Sequence, residues 1–393
     1  MQPEGQRAFG LPSVHPSLQG ITGAAVSKAP NLDCRGLTAN LAGFSHEVVK
    51  WQSTYGRHGM PWQNTRDPYR VWLSEIMLQQ TQVTTVLEYY DRFLQRFPSV
   101  NALAAASQDA VLALWSGLGY YSRARNLHQC AQDVASLHAG QFPRSAAVLQ
   151  TLPGIGRSTA AAIASFCFGE RVAILDGNVK RVLTRVLGFS GDLAKVANER
   201  ALWDRATDML PIYDLSNNMP RYTQGLMDLG ATICTGRQPK CMVCPVVAMC
   251  CGRAGGNPKA FPVKTRTLKR NQMALSLLLA KLPDGSCWLE KRPSKGIWGG
   301  LYCVPVFETD AALEAAVIHS PQLKLKPLPK VRHVLTHKDL HLSPWRADFE
   351  VLQAIPIVSL SKGSSGAWYT PAQWVDVGLP APIRKLLEQP DVV

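Results

Sequence analysis

Four cysteines stand close together in the sequence and could hold a metal ion or a cluster. They are Cys234, Cys241, Cys244 and Cys250, with six, two and five residues between successive members. Thiolates at such intervals can surround a tetrahedral zinc ion or one 4Fe–4S cluster. Because the intervals depart from paired Cys-x-x-Cys knuckles, we favour the cluster over structural zinc. Cys251 is an extra neighbour to which the sequence assigns no role.

A carboxyl group and three nearby glutamines form a second candidate site. Glu75 lies in residues 72–82 among large apolar side chains, which raise the pKa of a carboxyl group and let it donate a proton at neutral pH. The alternative is a glutamate on the solvated face of a helix. The glutamines are unusual in a core and suit contacts to bases or phosphates; they are Gln79, Gln80 and Gln82.

A turn with two glycines precedes a third candidate group. Gly154 and Gly156 separate a helical run at residues 145–149 from another that starts near Arg157. Such a turn exposes amide N–H groups at a helix N-terminus, where they can clamp phosphate, and it matches a helix-hairpin-helix that binds the DNA backbone. An ordinary turn between helices is the alternative. Asp176 follows this region and either caps the next helix or lies near the bound DNA.

The elements that must position these groups follow from the hydrophobic pattern. Apolar residues at helical spacing predict helices over 83–97 and 179–187, and breakers between such runs indicate a compact all-α unit at residues 43–254. A basic linker at 255–270 follows. Residues 271–393 are predicted to be α+β. The strands are placed near 273–281, 287–291, 328–336 and 341–350, and the helices at 309–317 and 382–388. Residues 1–42 are predicted to be a flexible extension.

Charge and composition restrict the class of protein. The chain has 393 residues, 46% of them hydrophobic, and a formal net charge of +14. This excess of positive charge favours a polyanionic partner, although it also suits a surface that is basic for solubility. We expect no membrane span and no secretory signal. The N-terminus resembles no transit peptide because of Glu4, so a bacterial cytoplasm, at the nucleoid, is the expected location.

Six motifs taken together resemble the MutY-type adenine DNA glycosylases. They are Glu75 within residues 73–83, residues 117–121, 152–159, 175–182 and 227–230, and the four cysteines. The resemblance runs from about residue 44 to the C-terminus. It implies an all-α helix-hairpin-helix glycosylase domain with a 4Fe–4S cluster, followed by an α+β Nudix-like domain. The implied enzyme is a monomer that removes adenine paired with 8-oxoguanine or guanine from double-stranded DNA.

The resemblance also assigns roles to individual residues. Glu75 would protonate the adenine ring, and Asp176 would face the developing sugar cation and help deliver water. One protonated and one ionised carboxyl group suit an oxocarbenium-like transition state. Asp176 is expected to stay ionised beside the polar Asn178 at the start of a helix. Asn178 and Gln224 match positions that line the catalytic pocket.

Flipping the adenosine out of the stack costs a few kcal/mol and leaves a gap in the duplex. Gln80 and Tyr120 match the positions that wedge into this gap, although a lone tyrosine is more often a core aromatic. Ser158 follows the glycine turn where related bifunctional enzymes have a lysine. A serine forms no imine, so we predict a monofunctional glycosylase.

The C-terminal part resembles a Nudix-like domain but lacks the Glu-rich box that binds magnesium, so nucleotide hydrolysis is not expected. The loop Leu335, Thr336 and His337 stands where the family has Phe-Ser-His and is expected to read 8-oxoguanine. His337 alone is also compatible with a surface imidazole. Two other functions stay open at this point. One is a related glycosylase for oxidised or mismatched pyrimidines, and the other is a non-catalytic DNA-binding protein with a cluster.

Overall fold

The computed structural model describes residues 43–265, 270–317, 324–349 and 366–389. The predicted flexible extension at 1–42 and residues 266–269 of the predicted linker lie outside the described residues. Among the described residues, no helix is both long and apolar enough to cross a membrane.

The N-terminal two thirds of the described chain are helical. The α-helices are α1 (Phe44–Tyr55), α2 (Pro68–Leu78), α3 (Val83–Arg96), α4 (Val100–Ala105), α5 (Gln108–Leu114), α6 (Ser122–Leu137), α7 (Ala146–Leu149), α8 (Arg157–Phe168), α9 (Gly177–Leu187), α10 (Val196–Asp208), α11 (Leu215–Asp228) and α12 (Cys251–Ala254). A π-helical turn, Leu229–Ile233, continues α11, and 3₁₀ turns at Cys241–Val243 and Val247–Met249 separate the cysteines.

Local signals explain where these helices begin and end. The side chain of Asp67 accepts a hydrogen bond from the Tyr69 amide over 3.0 Å, and Pro68 occupies the first position of α2. The α8 helix ends at Gly169, which adopts the left-handed conformation that favours glycine. The α3 helix buries Val86 and Tyr90 on one face, as its apolar spacing predicts.

The C-terminal part is built on a mixed sheet of eight strands among the described residues. They are β1 (Asn271–Lys281), β2 (Cys287–Lys291), β3 (Tyr302–Cys303), β4 (Val306–Phe307), β5 (Lys326–Pro327), β6 (Val331–Val334), β7 (Lys338–Asp348) and β8 (Gly366–Tyr369). The order is β3-β2-β1-β7-β5, with β4 paired to β1, β6 to β7 and β8 to β2. The parallel pair of β1 and β7 aligns Asn271 with Lys338 and Lys281 with Asp348.

Three helices accompany this sheet, namely α13 (Asp310–Val317), α14 (Pro371–Trp374) and α15 (Ala381–Leu387). The prediction of an all-α domain followed by an α+β domain is confirmed. The exact domain limits given by the sequence stay a prediction. Within the helical domain the apolar side chains form two buried clusters, one around α2 to α8 and the other around α1 and α9 to α11.

Candidate functional site

A cleft of about 1340 Å³ opens between the two buried clusters of the helical domain. Elements of both clusters line it, because α2 and the start of α8 belong to the first cluster, and the start of α9 and α11 belong to the second. Eight of the side chains singled out in the sequence line this cleft: Glu75, Gln79, Gln80, Gln82, Ser158, Asp176, Asn178 and Gln224. Tyr120, Gly154, Gly156, the loop at 335–337 and the cysteines lie outside its lining.

Glu75 lies in the wall of the cleft rather than on a solvated helix face. Its neighbours Ser74 and Ile76 are 1% and 3% exposed. Burial, together with the smaller effect of the Asp176 charge, raises the pKa of Glu75 to about 8. The carboxyl group is therefore protonated near neutral pH and can act as a proton donor.

Asp176 both caps α9 and lines the cleft. Its Oδ1 accepts a hydrogen bond from the Val179 amide over 2.7 Å. On balance burial raises the pKa of Asp176 above its ordinary value, although amide hydrogen bonds from Val179 and Asn178 and the positive charges of Arg181 and Lys180 lower it. These opposing contributions favour the carboxylate more at Asp176 than at Glu75, where burial and the neighbouring charge both raise the pKa.

The glycine turn positions α8 against the segment that carries Asp176. The Ser158 hydroxyl, at the start of α8, accepts a hydrogen bond from the Leu175 amide over 3.1 Å. Gly154 adopts φ 76°, and a Cβ there would lie 2.8 Å from the Asn126 Cβ, so this position requires glycine. Gly156 caps α8 and has open space around it. The amide end of α8 is therefore accessible beside the cleft.

An ion pair between the buried Asp228 and the partly exposed Arg57, which the sequence did not reveal, lies beside the cleft. Asp228 is 0% exposed, and its Oδ1 accepts from Arg57 Nε over 2.6 Å and from Gln224 Nε2 over 2.8 Å. Its Oδ2 accepts from the Arg57 amide over 2.9 Å. Because the amide group of Gln224 donates to Asp228, its carbonyl oxygen stays free to accept a hydrogen bond in the cleft.

We predict that Asp228→Ala lowers the free energy of unfolding by about 1–3 kcal/mol, because three donors lose their buried acceptor. Asp228→Asn keeps an acceptor and is expected to cost less. Thermal denaturation of both variants measures the two losses of stability and shows which is larger. Equal stability of the alanine variant and the natural protein would contradict the prediction.

Only the four-residue spacing of Gln224 and Asp228 indicates this contact in the sequence, since Arg57 lies 171 residues from Asp228.

The two predicted wedge residues lie on strained turns at the surface. Gln80 and Tyr120 have φ values of 60° and 50°. Tyr120 is 44% exposed, so it is not a core aromatic. The Arg123 side chain contacts both turns. Its Nη1 donates to the Gln79 carbonyl over 2.6 Å. The centre of its guanidinium group lies 5.2 Å from the centre of the Tyr120 ring. Sequence reasoning missed Arg123.

The loop at 335–337 connects β6 to β7 and adjoins Tyr120. The Thr336 hydroxyl donates to the Tyr120 hydroxyl over 3.1 Å. The Leu335 amide donates to the Lys338 carbonyl over 2.8 Å, and the Leu335 side chain packs against the core. His337 is exposed. The fold therefore brings this loop to the wedge tyrosine, although the two are more than 200 residues apart in sequence.

The four cysteines line one shared pocket beside α9. Burial, with smaller effects from the charges of Cys234, Cys250 and Cys241, raises the pKa of Cys244 to about 12, although a hydrogen bond from the Val246 amide lowers it. Four sulfurs this close need cations to be stable as thiolates. No group of three or more His, Cys, Asp or Glu in the described part of the chain is arranged to hold a metal ion. The four sulfurs that line the pocket are nevertheless of the type that binds either a zinc ion or an iron–sulfur cluster.

Two arginines of α9 donate hydrogen bonds to the start of residues 234–250, which carry the four cysteines and which we call the cysteine segment. Arg185 is 2% exposed and donates to the Cys234 Sγ over 3.3 Å and to the Thr235 carbonyl over 2.7 Å. Arg181 donates to the Cys234 carbonyl and to the Asn178 side chain, both over 2.8 Å. The cysteine segment and the cleft therefore share one supporting helix.

Two family models match this chain. Residues 73–207 match the HhH-GPD superfamily of base excision DNA repair proteins, and residues 277–389 match the NUDIX domain. The chain is 36% identical over 354 residues to the adenine DNA glycosylase of Buchnera aphidicola from Acyrthosiphon pisum, covering 88% of this chain and 97% of that protein. It is 41% identical over 330 residues to the adenine DNA glycosylase of Rattus norvegicus, covering 75% and 63%.

Two solved structures are similar to rather more than half of this chain. A thermostable thymine-DNA glycosylase is 29% identical with a TM-score of 0.48, over 54% of this chain and 96% of that one. A non-covalent complex of endonuclease III with DNA is 21% identical with a TM-score of 0.45, over 57% and 99%.

Proposed function

This chain belongs to the adenine DNA glycosylases, DNA-binding enzymes of base excision repair that hydrolyse the N-glycosidic bond of adenine, and we propose that it acts on adenine paired with 8-oxoguanine or guanine. The observation that carries this proposal is the cleft shared by Glu75 and Asp176, with the loop at 335–337 next to Tyr120. Because one chain supplies every group of this site, we propose that the enzyme is a monomer. We also propose that it acts at the bacterial nucleoid.

The two carboxyl groups divide the reaction between them. Glu75, protonated near neutral pH, gives its proton to a ring nitrogen of the flipped adenine, so that the base leaves as a neutral molecule. The electrons of the bond from sugar to base go to the base. Asp176 faces the positive charge that develops on the sugar and helps to deliver the water that adds there. The products are free adenine and an abasic site.

The remaining cleft residues hold the base and the duplex. Gln224 presents a carbonyl oxygen that can accept from the exocyclic amino group of adenine, because Asp228 holds its amide group. Gln80 and Tyr120 fill the gap in the stack, and the exposed amides at Gly154 and Gly156 bind the backbone. Leu335, Thr336 and His337 contact the oxidised guanine.

Single-turnover excision from four duplexes tests the proposal. The duplexes carry adenine opposite 8-oxoguanine, adenine opposite guanine, adenine opposite thymine, and guanine opposite thymine. We expect fastest adenine release opposite 8-oxoguanine, slower release opposite guanine, and no release of a base from the other two. Equal rates opposite 8-oxoguanine and guanine would refute the partner specificity. Thymine release from the last duplex would favour the pyrimidine glycosylase.

Ser158 leads us to propose a monofunctional enzyme. Its hydroxyl, bound to the Leu175 amide, cannot form an imine with the opened sugar. We predict that borohydride traps no covalent protein–DNA adduct with the natural protein and that Ser158→Lys gains such an adduct. Ser158→Ala is the matched control and is expected to give none. Strand cleavage by the natural protein without alkali would contradict this prediction.

We propose that the four cysteines hold one 4Fe–4S cluster. When bound, the cluster would crosslink the segment that carries the cysteines and hold its basic side chains at the DNA. We predict about four iron atoms per chain and visible absorbance in the purified protein. Cys244→Ser is expected to reduce both, whereas Cys130→Ser, which changes a buried cysteine remote from this pocket, is the control. Zinc without iron in the purified protein would contradict the proposal.

A further inference from the structure

The turn that carries Tyr120 is bonded directly to the C-terminal domain. We call residues 116–121 the wedge turn. The hydroxyls of Ser116 and Tyr121 both donate to the backbone carbonyl of Leu379, over 2.9 and 2.8 Å. Arg384 Nε donates to the Ser116 hydroxyl over 3.1 Å. One carbonyl of the C-terminal domain therefore receives two donors from a turn of the helical domain.

The wedge turn needs support from outside itself. Gly117, Gly119 and Tyr120 adopt φ values of 108°, 71° and 50°. The left-handed backbone costs a residue with a side chain about 1–3 kcal/mol, which surrounding contacts must offset. At Tyr120 the described contacts come from Arg123 on one side and from the Thr336 hydroxyl on the other. The C-terminal domain therefore contacts the wedge turn at both Leu379 and Thr336.

A close approach of the two backbones brings Leu379 within reach of the turn. Gly378 is buried, and a Cβ there would lie 2.9 Å from the Leu112 Cβ and 3.1 Å from the Leu112 backbone carbon. Leu112 belongs to α5, which leads into the wedge turn. The φ of Gly378 is not in the left-handed region, so glycine is required here for space and not for backbone conformation.

Apolar and ionic contacts also join the two domains. One buried apolar cluster contains side chains of both domains, among them Leu112, Trp115, Leu301 and Ile383. Lys291 Nζ contacts Asp109 Oδ1 over 2.6 Å across the same boundary.

The covalent connection between the domains is also short. The Thr265 hydroxyl donates to Asp192 of the helical domain, and the Asn271 amide donates to the His337 carbonyl. Only residues 266–270 lie between these two anchored points. A tether this short keeps the local concentration of one domain at the other high, of the order of millimolar or above.

We propose that Ser116 and Tyr121 are positioning residues through which the C-terminal domain holds the wedge turn, so that reading of the opposite base and insertion of Tyr120 act together. The inference rests on the proposed function, because it assigns the preference for 8-oxoguanine to this coupling. The catalytic carboxyl groups lie in the cleft and do not depend on the Leu379 carbonyl.

The double variant Ser116→Ala with Tyr121→Phe tests the proposal, since it removes both hydroxyls and keeps the aromatic ring. We expect the ratio of excision rates opposite 8-oxoguanine and opposite guanine to fall by about tenfold, while the rate opposite guanine changes less than about twofold. Gly378→Ala, which forces the two backbones apart, is expected to lower the ratio in the same way. Tyr90→Phe is the matched control, because its hydroxyl donates to the Arg70 carbonyl within the helical domain.

A second measurement separates this inference from the proposed function. Hydrogen exchange of the wedge turn in the DNA-free protein is expected to be faster in the double variant and in Gly378→Ala than in the natural protein or Tyr90→Phe. If the natural protein shows no preference for 8-oxoguanine, the proposed function fails. Faster hydrogen exchange of the wedge turn in the two variants would still support the inference that the C-terminal domain stabilises this turn. An unchanged ratio and unchanged exchange in both variants would overturn the inference. If the double variant does not fold, Tyr121→Phe alone decides between these outcomes.

Discussion

Glu75→Gln is expected to reduce adenine excision by roughly 10³- to 10⁴-fold, because the amide has nearly the shape of the carboxylic acid and donates no proton to the leaving base. Single-turnover rates on duplexes with adenine opposite 8-oxoguanine measure the loss. Binding of the same duplex, followed by fluorescence anisotropy, is expected to stay within about threefold of the natural protein. A variant that binds the duplex and releases adenine at the normal rate would show that Glu75 is not the acid.

The raised pKa of Glu75 also predicts a pH dependence of the rate. The acid form is the active one, so the rate is expected to fall as the pH rises above about 8, the pKa of this group. Any residual excision rate of Glu75→Gln should not show this fall at high pH. A rate that rises through pH 8 would show that another group donates the proton.

The same group affects stability in a defined direction. The pKa rises from 4.5 in the reference state to about 8 in the folded protein, so between these values the folded state keeps a proton that the unfolded chain has released. Stability from this group is complete below the lower pKa and is lost as the pH rises through the upper one. Glu75→Gln is therefore expected to flatten the decline of the melting temperature over this range.

Asp176→Asn is expected to lower the excision rate by roughly 10²- to 10³-fold, since a neutral amide no longer stabilises the positive charge on the sugar. Asparagine caps helices as well as aspartate does, so α9 is expected to stay intact. The measurement is the single-turnover rate, with circular dichroism as a check of the fold.

The alanine variant at the same position separates the two roles of Asp176. Asp176→Ala loses the hydrogen bond from the Val179 amide as well as the charge, and is expected to be less stable than Asp176→Asn by about 1 kcal/mol. Both variants are expected to have similarly low activity. If activity instead followed stability across the two variants, capping alone would explain the importance of this residue.

Much of the local structure was readable from the sequence because it depends on neighbours along the chain. Apolar spacing placed the α3 helix at Val83–Arg96 and the α9 helix at Gly177–Leu187 within a residue or two of the predicted ends. The spacing of the four cysteines gave a candidate ligand set, and the two glycines located the turn before α8. The resemblance to the family, which contiguous motifs carry, then indicated Glu75 and Asp176 as the catalytic residues. The roles of these residues stay predictions.

Contacts between distant segments were decided only by the tertiary structure. No local pattern joins Arg57 to Asp228, 171 residues away, or orients Gln224 through that pair. The bond from Tyr121 to Leu379 spans 258 residues, and nothing in the sequence around either residue predicts it.

The sequence by itself determined which chemical groups the protein carries and which helices and strands bear them, because both depend on residue type and on periodicity over a few turns. The tertiary structure decided the ionisation of those groups, since the pKa of Glu75 depends on burial and on a carboxylate about 100 residues away. It also decided that the C-terminal domain contacts the wedge turn. Burial and charge act through space, and the order of residues along a chain does not specify distances between remote segments.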